Sequence, residues 1–156
     1  MHPTAQEFVE EVDARYGVRP EVTSFDEGTK TAADAAEAIG CEVAQIASSI
    51  VMVADGEVIV VVTSGANHVD EDRIADVLGA TEVRMANPEE AREATGWSIG
   101  GVPPICHESE VPVLFDETLL DHETVWAAAG TPTTVWPIEP DRLRDLADAR
   151  AVRVTG

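Results

Sequence analysis

The chain holds a single lysine, Lys30, and only 10 Lys+Arg against 30 Asp+Glu, for a formal net charge of −20. That shortage excludes a nucleic-acid surface built on broad phosphate neutralisation, which draws its free energy from counterions released by lysine and arginine. A DNA partner is not expected, whereas RNA held through one local site remains compatible. Cysteine is also scarce. Cys41 and Cys106 are far apart and form no CxxC pair, which argues against a disulfide scaffold. Long apolar runs are missing: stretches such as Val58–Val62 fall far short of the ~20 residues needed to span a bilayer, so no membrane partner is expected. The opening Met-His-Pro-Thr-Ala-Gln-Glu-Phe lacks the basic and apolar regions of a signal peptide. A cytoplasmic protein is the expectation.

Hydrophobic residues make up 44% of the 156, enough for a packed core, and the length suits one domain over residues 1–156. The acids are scattered from Glu7 to Asp148 between apolar positions rather than gathered in a tail. Acid spread evenly over a globular chain reads as a halophile surface, where concentrated salt screens the self-repulsion.

Local signals alternate between helix and strand. Phe8, Val9 and Val12 give Thr4–Tyr16 an apolar stripe, and Gly17 ends it. Glu21–Phe25 reads as a short strand. Thr31 opens a second helix with Asp34 at the capping position, and Gly40 stops it; a short helix at Val43–Ile46 follows. Ser49–Val53 and Val58–Thr63 flank Asp55-Gly56, a hairpin signal. Further helices are expected at Asp70–Leu78, from Asn87-Pro88 to Thr95, and at Pro140–Ala147. Further strands are expected at Glu82–Met85, Val111–Phe115, Thr124–Ala128, Thr134–Pro137 and Ala151–Val154. Hairpins mixed with helices imply an α/β (mixed α+β) domain whose sheet is mixed and mostly antiparallel.

The most informative stretch is Gly-Trp-Ser-Ile-Gly-Gly-Val-Pro-Pro-Ile-Cys-His, residues 96–107. Adjacent glycines let a ligand approach the main chain closely, and the prolines freeze φ and remove their own N–H groups. The result is a stiff loop whose remaining amides, those of Gly100, Gly101 and Val102, are positioned to hold a carbonyl oxygen or a developing oxyanion.

Four pieces, in order, resemble the YbaK/ProX (YbaK/EbsC) family of aminoacyl-tRNA deacylases. They are Thr31-Ala-Ala-Asp-Ala-Ala-Glu-Ala-Ile-Gly40 with Gln45-Ile46; Thr63-Ser-Gly65 with Val69-Asp70 and Leu78-Gly79-Ala80; Ala94-Thr-Gly-Trp-Ser-Ile-Gly-Gly-Val-Pro-Pro104; and Val125-Trp-Ala-Ala-Ala-Gly-Thr-Pro132. Together they span residues 29–154. The resemblance implies a compact domain that hydrolyses the ester between a wrong amino acid and the 3′ end of a tRNA, in trans, without a metal or other cofactor. A synthetase partner is also implied. The family's Gly-x-x-x-Pro loop falls on Gly100–Pro104, which makes Gly100 and Gly101 catalytic candidates and Val102, Pro103 and Pro104 substrate-binding ones.

One departure stands out. Relatives carry a lysine just before the first hairpin strand, whereas this chain reads Gln45-Ile-Ala-Ser-Ser-Ile50, so Ser48 stands at the lysine's place, followed by Ser49. A serine offers a hydroxyl and no charge. Nothing in the sequence brings Lys30 into the pocket as a replacement. Other substrate-binding candidates are Trp97, by stacking on a base or an amino-acid side chain; His107, by orienting water or sugar hydroxyls; and Gly130, Thr131 and Thr133 at the pocket wall. A Cys106–His107 nucleophile is disfavoured because adjacent side chains on an extended segment point apart. Cys106, His107, His68 and His122 lack zinc-ligand spacing. The alternative to an enzyme is a catalytically silent relative that binds an aminoacyl end, an amino acid or a synthetase.

Overall fold

In a computed structural model of the chain, residues 2–25 and 31–156 are described; Lys30 lies outside them. Thirteen regular elements follow one another: α1 (Pro3–Tyr16), β1 (Thr23–Ser24), α2 (Ala32–Ile39), β2 (Ile46–Ala54), β3 (Glu57–Ser64), α3 (Glu71–Leu78), β4 (Val83–Met85), α4 (Pro88–Thr95), β5 (Val113–Asp116), β6 (Val125–Ala128), β7 (Thr134–Ile138), α5 (Pro140–Ala147) and β8 (Arg150–Val152). Short 3-10 turns at Val43–Gln45 and Glu117–Asp121 join them. The helices begin and end where their capping residues dictate. Thr31, Asp70 and Asn87 each accept a hydrogen bond from the backbone N–H three residues on, and Gly17, Gly40, Gly79 and Gly96 terminate helices in the left-handed conformation. Asp55 and Gly56 both take positive φ, the requirement of the two-residue turn that joins β2 to β3.

The strands form one mixed sheet in the order β1-β7-β6-β2-β3-β5-β8, with β4 also on β2. Pairs β1–β7, β6–β7, β2–β3 and β2–β4 are antiparallel; β2–β6, β3–β5 and β5–β8 are parallel. Helices cover both faces. Val51, Val53, Val60, Val62 and Phe115 point to one face and pack with Phe8 of α1, Trp97, Trp136 and Leu143 of α5. Met52, Ile59, Val61 and Leu114 point to the other and pack with Ile74 of α3, while Ala35 and Ala36 let α2 sit close over Ile46. The period-2 alternation holds along β2, β3 and β5, so a one-residue slip would turn each apolar set away from its partners.

The edge of β2 that faces away from β3 is divided. It pairs with β6 only at Ile46 and Ala47 and with β4 only from Met52 to Ala54. Residues 48–50 between them face no strand on that side among the described residues. The cause lies in β6, which ends at Ala128 and turns away at Gly130, where φ is +95° and the Trp97 ring lies 2.8 Å from where a Cβ would sit. No larger residue fits between that backbone and the indole.

Candidate active site

The divided edge of β2 opens a cleft of about 490 Å³. Ser48, Ser49 and Ile50 form its floor, and Ala128, Thr131 and Thr133 form one wall. Thr31, Ala32 and Ala35 close it from the α2 side; Ile99, Gly100 and Val102 of the Gly/Pro loop close it from the other. The sequence candidates Ser48, Ser49, Gly100, Val102, Thr131 and Thr133 therefore meet here, although they come from three separate stretches. No Asp, Glu, Lys, Arg or His lines the cleft among the described residues. In a chain with a net charge of −20, the described lining is uncharged. Met85 and Ile99, the two large hydrophobics exposed among the described residues, both line it.

The loop is fastened at many points. Arg92 donates to Ser98 Oγ at 3.0 Å. The Trp97 indole N–H donates to the Cys106 carbonyl at 2.9 Å, and the Cys106 N–H donates to the Tyr16 hydroxyl at 2.9 Å. Gly101 N–H donates to the Ser98 carbonyl at 3.0 Å, so this one of the three expected loop amides is engaged within the loop itself. Gly100 has φ of +92° and borders the cleft at Pro132, a conformation that suits glycine. Donors held this firmly need little reorganisation when charge develops on a substrate oxygen.

Five other candidates sit behind the cleft rather than in its lining. Trp97 is buried and meets Phe8 edge-on, with ring centroids 5.7 Å apart. Gly130 lies against that indole. Pro103 and Pro104 are buried. His107 is buried too, and its Nε2–H donates to the Pro103 carbonyl at 2.7 Å; a carbonyl only accepts, so this nitrogen carries the proton. Burial lowers the His107 pKa, against the pull of that carbonyl. Burial likewise raises the Cys106 thiol to about 11, so it is no ready nucleophile at neutral pH. Both cysteines are free thiols. His107 and Cys106 thus brace the loop from below.

Sequence reasoning missed Asp116, which ties down the floor strand's neighbour. Its carboxylate is buried and accepts from Ser64 N–H (3.0 Å), Asn67 Nδ2 (2.9 Å), Thr63 Oγ1 (3.3 Å), and the N–H (3.0 Å) and hydroxyl (2.8 Å) of Thr118. The only signal was an Asp-x-Thr turn directly after an apolar strand. Met85 and Ile99 were missed as well, because their exposure follows from tertiary packing.

Comparison with known proteins decides the family. A family model described as an aminoacyl-tRNA editing domain matches residues 26–146. The chain belongs to this family. Over 127 residues the editing domain is 32% identical to the uncharacterized protein YwhH of Bacillus subtilis (strain 168), covering 81% of this chain and 80% of that one. It is also 32% identical over 131 residues to the proline–tRNA ligase of Acidithiobacillus ferrooxidans (strain ATCC 53993 / BNL-5-31), where the match takes 81% of this chain but only 23% of the ligase. A solved structure described as a candidate trans-editing enzyme for prolyl tRNA synthetase superposes with a TM-score of 0.94 at 35% identity, covering 100% of this chain and 99% of that one. The single mixed α/β domain expected from sequence is the fold observed.

Proposed function

We propose that this editing domain is a deacylase that removes the amino acid from a mischarged tRNA, acting in trans in the cytoplasm. One observation carries the reading: in a chain matched to the aminoacyl-tRNA editing domain, Gly100 and Val102 of the Gly/Pro loop line a cleft with Ser48 and Ser49, and its described lining is uncharged. Water adds to the ester carbonyl, the bond from that carbon to the ribose oxygen breaks, and the ribose oxygen leaves with a proton. The amino acid departs as the carboxylate, and water's second proton passes to solvent. The cleft contributes placement of the ester and backbone donors beside the developing oxyanion, the Gly100 and Val102 amides among them. Val102 and Thr131 shape the pocket beside the acyl group, Thr133 and the Ser48 hydroxyl offer polar contacts, and Trp97, Pro103, Pro104, His107 and Gly130 hold the loop at its working height. Similarity to a proline–tRNA ligase and to a candidate trans-editing enzyme for its synthetase supports a tRNA that serves proline, with the synthetase as a partner.

The test is a deacylation assay on a panel of mischarged tRNAs in molar salt. Release of one or a few amino acids above the no-enzyme rate is the expected result; no release from any of them overturns the hydrolytic reading. A second reading, a silent module that binds the aminoacyl end, is favoured by the missing charge at Ser48 and predicts binding without release.

A further inference from the structure

Among the described residues, the divided edge of β2 leaves one residue with neither of its outward backbone groups opposite a strand. Two hydrogen bonds fix which residue it is. Gly65 N–H donates to the Ile46 carbonyl at 2.8 Å, on the β3 side, and Ala86 N–H donates to the Val51 carbonyl at 3.0 Å, on the opposite side. The register from Ala47–Ser64 to Ala54–Glu57 runs without a bulge. Backbone polar groups of successive strand residues alternate sides, so even-numbered residues bond β3 and odd-numbered ones face away from it. Ala47 then meets β6, Val53 meets β4, and the Val51 carbonyl accepts from Ala86 just past the end of β4. Ser49 alone turns both its N–H and its C=O toward the cleft with no strand opposite among the described residues. Its side-chain Oγ is also buried without a hydrogen-bond partner. A buried polar group left unmatched is costly and calls for an explanation.

An α-aminoacyl group carries one donor, its ammonium, and one acceptor, its carbonyl, on either side of one Cα. That is the pair a single strand residue offers to its opposite number in an antiparallel ladder, where two residues exchange both N–H···O bonds. No carboxylate lines the cleft to hold an ammonium and no cation lines it to hold a carbonyl, among the described residues. We infer that Ser49 reads the aminoacyl group as if it were one more strand residue: its carbonyl accepts from the α-ammonium, and its N–H donates to the ester carbonyl. Recognition of this kind ignores the amino-acid side chain and works without the lysine that Ser48 replaces. The inference rests on the deacylase reading for its ligand class, and it makes the Ser49 amide a catalytic donor, since that N–H would touch the reacting carbonyl.

The experiment titrates the full-length ¹⁵N-labelled protein, in high salt, with 3′-(L-alanylamido)-3′-deoxyadenosine, a non-hydrolysable amide of the ester. Alanine suits a cleft lined by Ala32, Ala35, Ala47 and Ala128. The Ser49 amide resonance is expected to shift downfield and its hydrogen exchange to slow. The des-amino analogue, with propionyl in place of alanyl, is expected to bind at least tenfold more weakly. An unmoved Ser49 amide at saturation, equal affinity for the two analogues, or no binding at millimolar concentration overturns the inference. The two readings fail separately. Deacylation of a mischarged tRNA with a silent Ser49 amide leaves the proposed function standing, and a responding Ser49 amide without deacylation leaves the inference standing.

Discussion

Gly101 lies so close to Thr131 that a Cβ built on it would sit 2.6 Å from the Thr131 Cα and carbonyl carbon. The glycine is there so that two segments of the chain can touch main chain to main chain, joining the Gly/Pro loop to the β6–β7 connection. From sequence alone the close approach is assigned to a ligand; the geometry assigns it to Thr131. Gly101→Ala should therefore lower stability by about 1–3 kcal/mol, the usual cost of overpacking, and lower activity as the loop lifts. Gly100→Ala, whose Cβ would meet only Pro132 at 3.7 Å, should cost about 1–2 kcal/mol through its positive φ. Paired denaturant melts and deacylation rates check both; a Gly101→Ala protein as stable as the parent would refute the packing account.

Ser48→Lys would return a cation to a cleft that has none among the described residues. The expected outcome is tighter binding of an aminoacyl-adenosine end by roughly 1.5–3 kcal/mol, the range for a hydrogen bond to a charged group. The rate rises as well if the charge meets the transition state better than the ground state. Calorimetry and single-turnover kinetics measure the two separately. Weakening by both Ser48→Lys and Ser48→Ala would instead assign the role to the hydroxyl.

The acid surface predicts salt-dependent stability. Among the described residues, Arg19, Arg84 and Arg144 make ion pairs, few cations for a chain with 30 acids. The melting midpoint should climb as salt rises from millimolar to molar, because screening removes the self-repulsion. A midpoint indifferent to salt would remove the halophile reading.

Stability should fall in two stages on acidification. His107 has a folded pKa below its ordinary value, chiefly through burial. Its contribution is present above the unfolded value near 6.5 and is lost as pH falls below it. Asp116 follows. Burial pushes its carboxyl up, but the hydrogen bonds from Asn67, Ser64 and Thr118 together hold it below the ordinary value, so its contribution is present above about pH 4 and fades as pH drops further. Half-buried Glu90, held at about 2 by Arg84 first and the Asn87 N–H second, acts in the same lower window. Asp116→Asn, which sets an NH₂ among groups that already donate, should cost about 2–3 kcal/mol at neutral pH and flatten the lower stage. Urea midpoints from pH 8 to pH 3 measure both stages.

Much of this fold was legible because its punctuation is local. Asn87-Pro88, Thr31 and Asp70 announce helix starts, Gly17, Gly40 and Gly79 announce ends, and Asp55-Gly56 announces the hairpin; each acts through its own φ or its own side-chain oxygen. Strand limits were less clear. The strand expected at Glu21–Phe25 spans only Thr23–Ser24, and β2 begins at Ile46 rather than Ser49, because the partner strand decides how far pairing runs. The 3-10 turn at Glu117–Asp121 is held by Leu119 buried in the core and leaves no periodic trace. At the cleft, Ser48, Gly100 and Thr131 stand out by residue type and by resemblance. The outward-facing backbone of Ser49 does not, since it depends on where β6 stops and β4 starts.

The break in β2 also works as a ruler. Three residues without a neighbour span about 10 Å at a strand's rise, and the break is stopped at one end by β6 and at the other by β4. A longer acyl chain running along that edge would collide with one of them. An acyl group lying along that edge has room for about three residues and no more. By that length, the domain would leave a long growing chain of a peptidyl-tRNA untouched while it clears an amino acid that has been loaded in error.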